Sequence, residues 1–519
     1  MDARLQNVDG HDANAEGPAA KLWNKGIGER ENYLSRGREC ASVTVPFLLP
    51  PAGTSGATML PTPYQGTGAE GVNNLASKLV LTLFPPGAPF FRLLVDPAAV
   101  RELTGEEDPE QADQTLSEVD AEVSVLEQEL AAEIEARNLR PVLYEAFRQL
   151  LVSGNVALRW EDKTLRAYAL DRFVVKRTGT GKIDYIVTLD GVDDESSAKQ
   201  KRLYTAAKRN PDGTYRVWQE IDGVIKNPAQ VEEDLLPYMV PRMFSIPGES
   251  YGRSLCEHYL GDLISLESLA RSIVMSSAAA AHLVWLVNPN GFTDISALQK
   301  ARTGDFTPGV EGDVSALRLD KQADMGIAAN TAERLETKLH RVFLLNTAAQ
   351  RQAERVTAAE IRFIAQQLED ALGGSYSLMN EQLQLPIVRW VMDEMTDEGA
   401  LPEIQDGVVR PKVVTGLEGL GRNQQLERLR TFLGIMYELV GPEVANQYLR
   451  ISPLITKIAA GTGTEAGGII KSDEEVAQAQ QAAQQAAQQA AIAQNAAGPI
   501  AGAISGPMAD QLLNQQTQQ

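Results

Sequence analysis

Residues 61–86 read PTPYQGTGAEGVNNLASKLVLTLFPP. Gly66, Gly68 and Gly71 match G-x-G-x-x-G, the loop that brings a dinucleotide pyrophosphate against a helix N-terminus. A nucleotide fold needs a buried strand before those glycines. Pro61 and Pro63 stand there instead, and proline cannot donate to a strand ladder. Val72 to Phe84 carries Leu75, Leu79 and Leu83 at four-residue spacing, the pattern of an amphipathic helix, and Pro85 and Pro86 stop it. No βαβ unit follows. Asp96 stands at the distance of a ribose-binding acid, but beyond Pro89. The stretch therefore reads as a packed helix whose glycines shape a tight approach to it and admit another backbone. A nucleotide-binding enzyme using Gly66–Gly71 is the enzymatic alternative to this reading.

Composition narrows the classes further. At 519 residues, 43% hydrophobic and 23% charged, the chain has room for two or three globular domains of ~100–200 residues each. A net charge of −21 argues against a protein that coats nucleic acid with a basic face, while leaving room for contact at a few basic points. Cys40 and Cys256 are far apart in sequence and read as free buried thiols in a reducing compartment. His11, His258, His282 and His340 share no metal-ligand spacing, so neither a metal nor another cofactor is expected. The start, MDARLQNVDGHDANAEG, lacks a basic, apolar leader. Ile273 to Val287 is the longest apolar candidate; it is too short to span a bilayer and contains His282. A cytosolic protein, or one assembled there, is expected.

Along the chain the pattern is α+β and mainly helical. Residues 1–19 read as disordered, followed by a helix over Leu22–Arg38. PFFRLLVD (89–96) reads as a short strand and ELTGEEDPEQADQ as an acidic loop. From Thr115 a long helix repeats Leu116, Val119, Val123, Leu126, Leu130 and Ile134, and a second runs over Val142–Val152, ending at SGN. Residues 155–245 are rich in strands: VALRW, RAYAL, FVVKR, KIDYIVTLD and TYRVWQEID. TGTGK (178–182) and NPDGT (210–214) read as hairpin turns; TGTGK lacks the spacing and Lys-Ser/Thr ending of a P-loop. A helical run from Gly252 to Val287, small-residue rich over Ser276–Ala281, leads to a turn-rich island at 288–327 and a second helix over 328–346. Thr357 and Glu360 form a capping box for a helix over Ala358–Met395, with a kink at Gly373–Gly374 and a disturbance at Pro386. At ~1.5 Å per residue it would span roughly 50–60 Å. Helices follow over Arg422–Val440 and Pro442–Arg450. After the GTGTEAGG linker, Ser472 and Glu475 open an Ala/Gln helix with an alanine stripe, marginal unless neighbouring copies support it. Residues 499–519 read as a disordered tail.

TPYQGTGAEGVNNLASKLVLTLFPP, ESYGRSLCEHYLGDLISLE, KARTGDF, ERVTAAEIRFIAQQLEDALGG and LQLPIVR together resemble the portal, or head-to-tail connector, protein of short-tailed phages of the podovirus and autographivirus type. The resemblance runs in order through most of residues 20–470. It implies a ring of about twelve subunits at one capsid vertex around a channel for double-stranded DNA. It also implies the family's parts: wing (20–251 and 357–470), stem helices (252–287 and 328–346), clip (288–327), channel loop (347–356) and crown (471–498).

The same resemblance directs the search for functional residues. Arg351 and Arg355 in the channel loop, with Lys338 and Arg341 on the neighbouring stem helix, are the candidates to face DNA phosphates; the alternative for each is an exposed charge or an ion pair. Lys300, Arg302, Asp305 and Phe306 in the clip are candidates to dock the packaging terminase large subunit and then the tail adaptor, or to touch a neighbouring subunit. Capsid and scaffolding proteins and internal core proteins complete the implied partners, in a virion assembled in the host cytoplasm, with no membrane. No P-loop and no nucleophile–His–acid set points to catalysis, so a non-enzyme is expected. Another virion structural protein, a scaffold or tail component, is the structural alternative.

Overall fold

Apolar residues at helical spacing become helices where the pattern marks them. In a computed structural model of the chain, α1 spans Pro18–Ser42 and α2 Thr67–Leu83. Val72, Leu75, Ala76, Leu79 and Leu83 of α2 are fully buried, the face that the four-residue leucine repeat predicts. The structure describes residues 17–54, 57–86, 89–96, 98–100, 109–192, 201–281, 284–317, 322–345, 358–401, 409–413 and 421–441. The expected disordered ends (all but Gly17, Pro18 and Ala19 of the first), the channel loop with Arg351 and Arg355, the Pro442–Arg450 helix and the crown lie outside these residues. The chain divides into two units, Met1–Leu420 and Gly421–Gln519.

Strand β1 (Phe91–Val95) follows α2, and α3 (Pro109–Ala136) and α4 (Arg140–Ser153) follow it. Helix α3 begins at Pro109, where an acidic loop was expected up to Thr115. Proline is suited to the first helical turn, and the acids Glu110 and Asp113 favour a helix N-terminus. Likewise α1 begins at Pro18 and takes in Pro18 and Ala19, expected to be disordered.

Two antiparallel sheets come next. β2 (Ala157–Glu161) lies between β3 (Thr164–Tyr168) and β9 (Tyr238–Met239). β4 (Phe173–Arg177), β5 (Ile183–Val192), β6 (Lys201–Arg209), β7 (Tyr215–Ile221) and β8 (Val224–Val231) form a five-stranded meander in chain order. Both expected hairpin turns are present: Thr178 N donates to Lys182 O at 2.9 Å, and Asn210 N to Thr214 O at 2.8 Å. Strands β6 and β8 were not singled out from sequence. KRLYTAAKR buries only its centre, and VIKNPAQV carries Pro228, which the sheet tolerates because β8 is an edge strand.

The meander has its own core. Ala19 and Trp23 of α1 pack against Val174, Tyr185, Val187, Ala206 and Trp218. Glu220 of β7, 1% exposed, fixes how α1 starts: its carboxylate accepts from Ala19 N at 2.7 Å and Ala20 N at 3.2 Å. This cap comes from a strand 200 residues on, and satisfies two of the amides a helix start leaves without partners.

Helices α5 (Leu255–His258) and α6 (Leu260–Ala281) lead to β10 (Val284–Val287), a short α7 (Ile295–Lys300), β11 (Val314–Leu317) and α8 (Gln322–Val342). The helical run expected through Val287 thus ends earlier: residues 284–287 pair antiparallel with 314–317, and Val-Trp-Leu-Val is itself a strand-forming sequence. The second helix, expected over 328–346, begins six residues sooner and ends at Val342.

The expected 38-residue helix is divided. α9 (Ala358–Leu372) stops at Gly373, whose φ of 57° is left-handed. α10 (Gly374–Met379) passes through a π-helical turn (Asn380–Gln384) into α11 (Leu385–Asp397). Pro386 sits just inside α11, and the wide turn before it accommodates the missing N–H. Glu394 of α11 accepts from Arg137 Nη1 at 2.6 Å and Trp160 Nε1 at 2.7 Å. β12 (Val409–Val413) pairs antiparallel with β1. In the second unit, α12 (Gly421–Val440) carries exposed Phe432, Ile435 and Leu439.

Removing the α1 cap with Glu220→Ala should cost about 1–2 kcal/mol locally. Hydrogen exchange of the Ala19 and Ala20 amides is expected to accelerate by about ten- to thirtyfold, with the α4 and α11 amides unchanged.

Candidate functional site

Two helices and what they carry at each end form the site. At the near end α6 and α8 enter the main core: Leu263, Leu266, Leu339 and Phe343 are fully buried. Here the glycine-rich stretch contributes. A Cβ on Gly71 would lie 2.4 Å from Cγ of Phe343, and one on Gly68 2.8 Å from the Val43 carbonyl. Both glycines let foreign groups reach the α2 axis. The start of α2 is filled by protein: Gly68 N donates to Gln65 Oε1 at 2.8 Å, and Gln65 N to Glu267 Oε2 at 3.1 Å. A carboxylate at this position disfavours a phosphate, so the nucleotide reading of Gly66–Gly71 has no support in the geometry.

At the far end the helices lose their cover. Val274 is 52% and Met275 56% exposed, Ile327 67%, and every described α6 position from Val274 to Ala279 is exposed. Between the helices, residues 284–317 make a small knob on the two-stranded β10–β11 ladder. Asp313, nearly buried, holds it: its Oδ2 accepts from Thr293 N at 3.1 Å and Thr293 Oγ1 at 2.8 Å. Thr293 Oγ1 accepts in turn from Val310 N at 3.0 Å. Asp294 caps α7 by accepting from Ser296 N and Ala297 N, and hydrogen bonds from Ser296 and Ala297 hold its carboxyl below the usual range. The knob leaves large apolar groups in water: Trp285, Leu286, Phe292, at 92% exposure, and Phe306, fully exposed.

Lys300, Arg302, Asp305 and Phe306, the clip candidates, all lie on the exposed surface of the knob. Asp305 also shapes the loop. Its Oδ2 accepts from Arg302 N at 2.7 Å, and its own amide donates to Arg302 O at 3.0 Å, closing the RTGD turn that projects Phe306. Lys338 on α8 donates to Asp262 Oδ2 of α6 at 2.6 Å, so it makes an ion pair, the alternative to facing phosphate. Arg341 is exposed in the last turn of α8. Sequence reasoning missed Asn74 and Lys78, which reach the end of α8 from α2. Asn74 Nδ2 donates to Phe343 O at 3.0 Å and Leu344 O at 3.3 Å, and Lys78 Nζ to Leu344 O at 2.5 Å. Burial lowers the Lys78 pKa from its ordinary value. No periodicity links residue 78 to residue 344.

Cys40 and Cys256 are free and buried; burial pushes the Cys40 thiol up to about 12. Among the described residues no cluster of His, Cys, Asp and Glu could hold a metal, and no helix is long and apolar enough to cross a membrane.

A paired-helix limb with a bare outer half and an aromatic knob, rooted in a mixed helix–sheet body, presents apolar surface of the kind that marks an interaction site. The family "Bacteriophage head to tail connecting protein" matches residues 16–221 and 192–470. The portal protein of Enterobacteria phage T3 is 36% identical over 485 residues, 89% of either chain. That of Escherichia phage T7 is 35% identical over 496 residues, 90% of this chain and 91% of that one. A solved chain from the neck of a native GTA particle is a distant likeness, 13% identical with a TM-score of 0.32, covering 70% of this chain and 84% of that one. The chain belongs to the bacteriophage head to tail connecting proteins, the family its sequence resembles, and has their mixed, mainly helical α+β fold.

Gly71→Ala tests the packing role of the glycine. In an open helix this change stabilises by about 1 kcal/mol; here the added methyl meets Phe343 and should destabilise by about 1–3 kcal/mol. Gly28→Ala in α1, with nothing within 4 Å, is the control. A lower thermal midpoint for the first and an equal or higher one for the second are expected, with no nucleotide-dependent shift in either.

Proposed function

We propose that about twelve copies of this chain close into a ring at one vertex of a phage capsid, around a channel through which double-stranded DNA enters during packaging and leaves during ejection. In this reading α6 and α8 are the stem, the segment between them is the clip (expected over 288–327, and shortened where α8 begins at Gln322), and 347–356 is the channel loop. Residues 20–251 and 357–470 form the wing and 471–498 the crown. The clip docks the terminase large subunit during packaging and the tail adaptor afterwards. Capsid, scaffolding and internal core proteins contact the rest of the ring, which is assembled in the host cytoplasm. The chain performs no catalysis; the hydrolysis that drives DNA inward belongs to the terminase.

The observation that carries this reading is the bare outer half of the helix pair. Val274, Met275, Ile327 and the knob's Trp285 and Phe292 form more exposed apolar surface than a solitary limb would keep in water. A neighbour meeting it head-to-tail makes a heterologous contact, and such contacts close into a ring when the rotation between neighbours closes. Small residues along Ser276–Ala279 admit a close neighbouring helix.

Charge supports a conduit that lets DNA slide. Twelve chains of −21 each give a ring of about −250 before counterions, which disfavours tight non-specific binding. Each phosphate neutralised by Lys or Arg adds affinity through counterion release, so sparse basic points guide a duplex and a dense basic lining would arrest it. Arg351 and Arg355 are assigned that guiding role, and Arg341 of the stem helix a lesser one. Lys338 has a weaker part because Asp262 offsets its charge.

Electron microscopy of the purified chain should show closed rings with an open axial channel wide enough for duplex DNA; only monomers or compact dimers across a range of salt would refute the reading. Replacing Arg351 and Arg355 together with Gln should leave ring formation intact while changing DNA packaging or retention by severalfold. Unchanged packaging and retention would remove the phosphate-facing assignment.

A further inference from the structure

Helix α8 stops where its sequence does not tell it to. No glycine or proline occurs from Ile327 to Leu372, and the residues after the helix, NTAAQRQAER (346–355), are mostly good helix formers. Yet the chain turns out of the helix in a Schellman arrangement. Leu345 N donates to His340 O at 2.8 Å and Leu344 N to Arg341 O at 3.3 Å. The position that must be left-handed in this turn is Leu344, with φ of 54°. Glycine normally takes this place, because a Cβ there crowds the following carbonyl. Asn346, the nearby residue that best tolerates the conformation, comes two positions too late.

Something outside the helix must hold this terminus. Helix α2 supplies it. The terminal carbonyls of Phe343 and Leu344, which the helix itself leaves to other donors, are taken by Asn74 and Lys78. The Lys78 ammonium stands at the negative end of the α8 dipole. The Phe343 ring, fully buried, lies over Gly71 one turn earlier on α2. Gly71, Asn74 and Lys78 share one face of α2 at three- and four-residue spacing.

We propose that Asn74 and Lys78 are positioning residues that hold the left-handed turn at Leu344, just past the end of α8 at Val342, and so set the point from which the chain enters residues 347–356. The stop is imposed by α2 and is absent from the local sequence. Its consequence for DNA rests on the channel reading of residues 347–356; the helix stop itself does not.

The test is hydrogen exchange on the full-length chain. In Asn74→Ala/Lys78→Met the left-handed Leu344 is no longer held and the end of α8 frays between the turn and further helix, so the Leu344 and Leu345 amides should exchange about tenfold faster or more, while the buried middle of α2 keeps its protection. Lys78→Arg, which keeps a cationic donor, should retain most of the protection. Adding Leu344→Gly to the double variant should restore slow exchange, because glycine makes the stop self-sufficient. Exchange within about twofold of the parent in the double variant, or no rescue by glycine, would overturn the proposal. Should the double variant fail to fold, Asn74→Ala alone, which leaves Phe343 and Lys78 in place, is read by the same amides and the same rescue. Virions built with the double variant should lose genome severalfold faster, and glycine should reverse this. Altered exchange with unaltered genome retention would uphold the helix stop and count against the channel reading.

Discussion

The ring of Phe343 rests on Gly71, where α2 has no side chain, and the root of the helix pair depends on that contact. It fixes the inner end of the helix pair to the main core. Leu263, Leu266 and Leu339 are buried in the same core, and the limb that leaves the core from there can be rigid at its root and bare at its tip. A larger residue at position 71 would push α8 outward and take the carbonyls of Phe343 and Leu344 away from Asn74 and Lys78. The packing contact and the polar one are therefore a single joint, with the void supplied by glycine and the direction by hydrogen bonds.

The body holds that joint steady through ties between distant segments. Glu220 caps α1 from β7, β1 pairs with β12, and Glu394 gathers Arg137 and Trp160. Gln384 donates to the Leu83 carbonyl at the end of α2, so the π-helical turn and α2 are linked directly. Each tie satisfies a polar group that burial would otherwise leave costly. Among the described residues the outer limb has few such ties beyond the Asp313–Thr293 pair. Buried order at the root and exposed apolar surface at the tip suit a protein completed by its neighbours.

Charge acts at a different scale from these contacts. The folded chain pairs many of its basic groups locally, as with Lys338 and Asp262 or Lys163 and Glu398. The result is a strongly acidic particle on which basic points are sparse. In the proposed conduit this balance would let a duplex slide, since both carry net negative charge.

Sequence alone determined the elements whose signal is local. The leucine spacing marked α2, Gly373–Gly374 marked a kink where the helix in fact divides, and TGTGK and NPDGT marked hairpins, because periodicity and turn chemistry act over a few residues. Long collinear segments placed the chain in its family, and prolines before Gly66 removed the nucleotide fold. Local signals failed where a distant partner decided the outcome. VIKNPAQV is a strand because it lies at a sheet edge, Val284–Val287 is a strand because residues 314–317 pair with it, and Pro18 starts a helix that Glu220 caps. In the candidate site, Lys338 and the clip residues could be named from sequence, but the ion pair with Asp262 and the turn closed by Asp305 could not. The end of α8 is the plainest case: its sequence permits more helix, and only α2, packed across Gly71, makes a left-handed leucine the more stable place to stop.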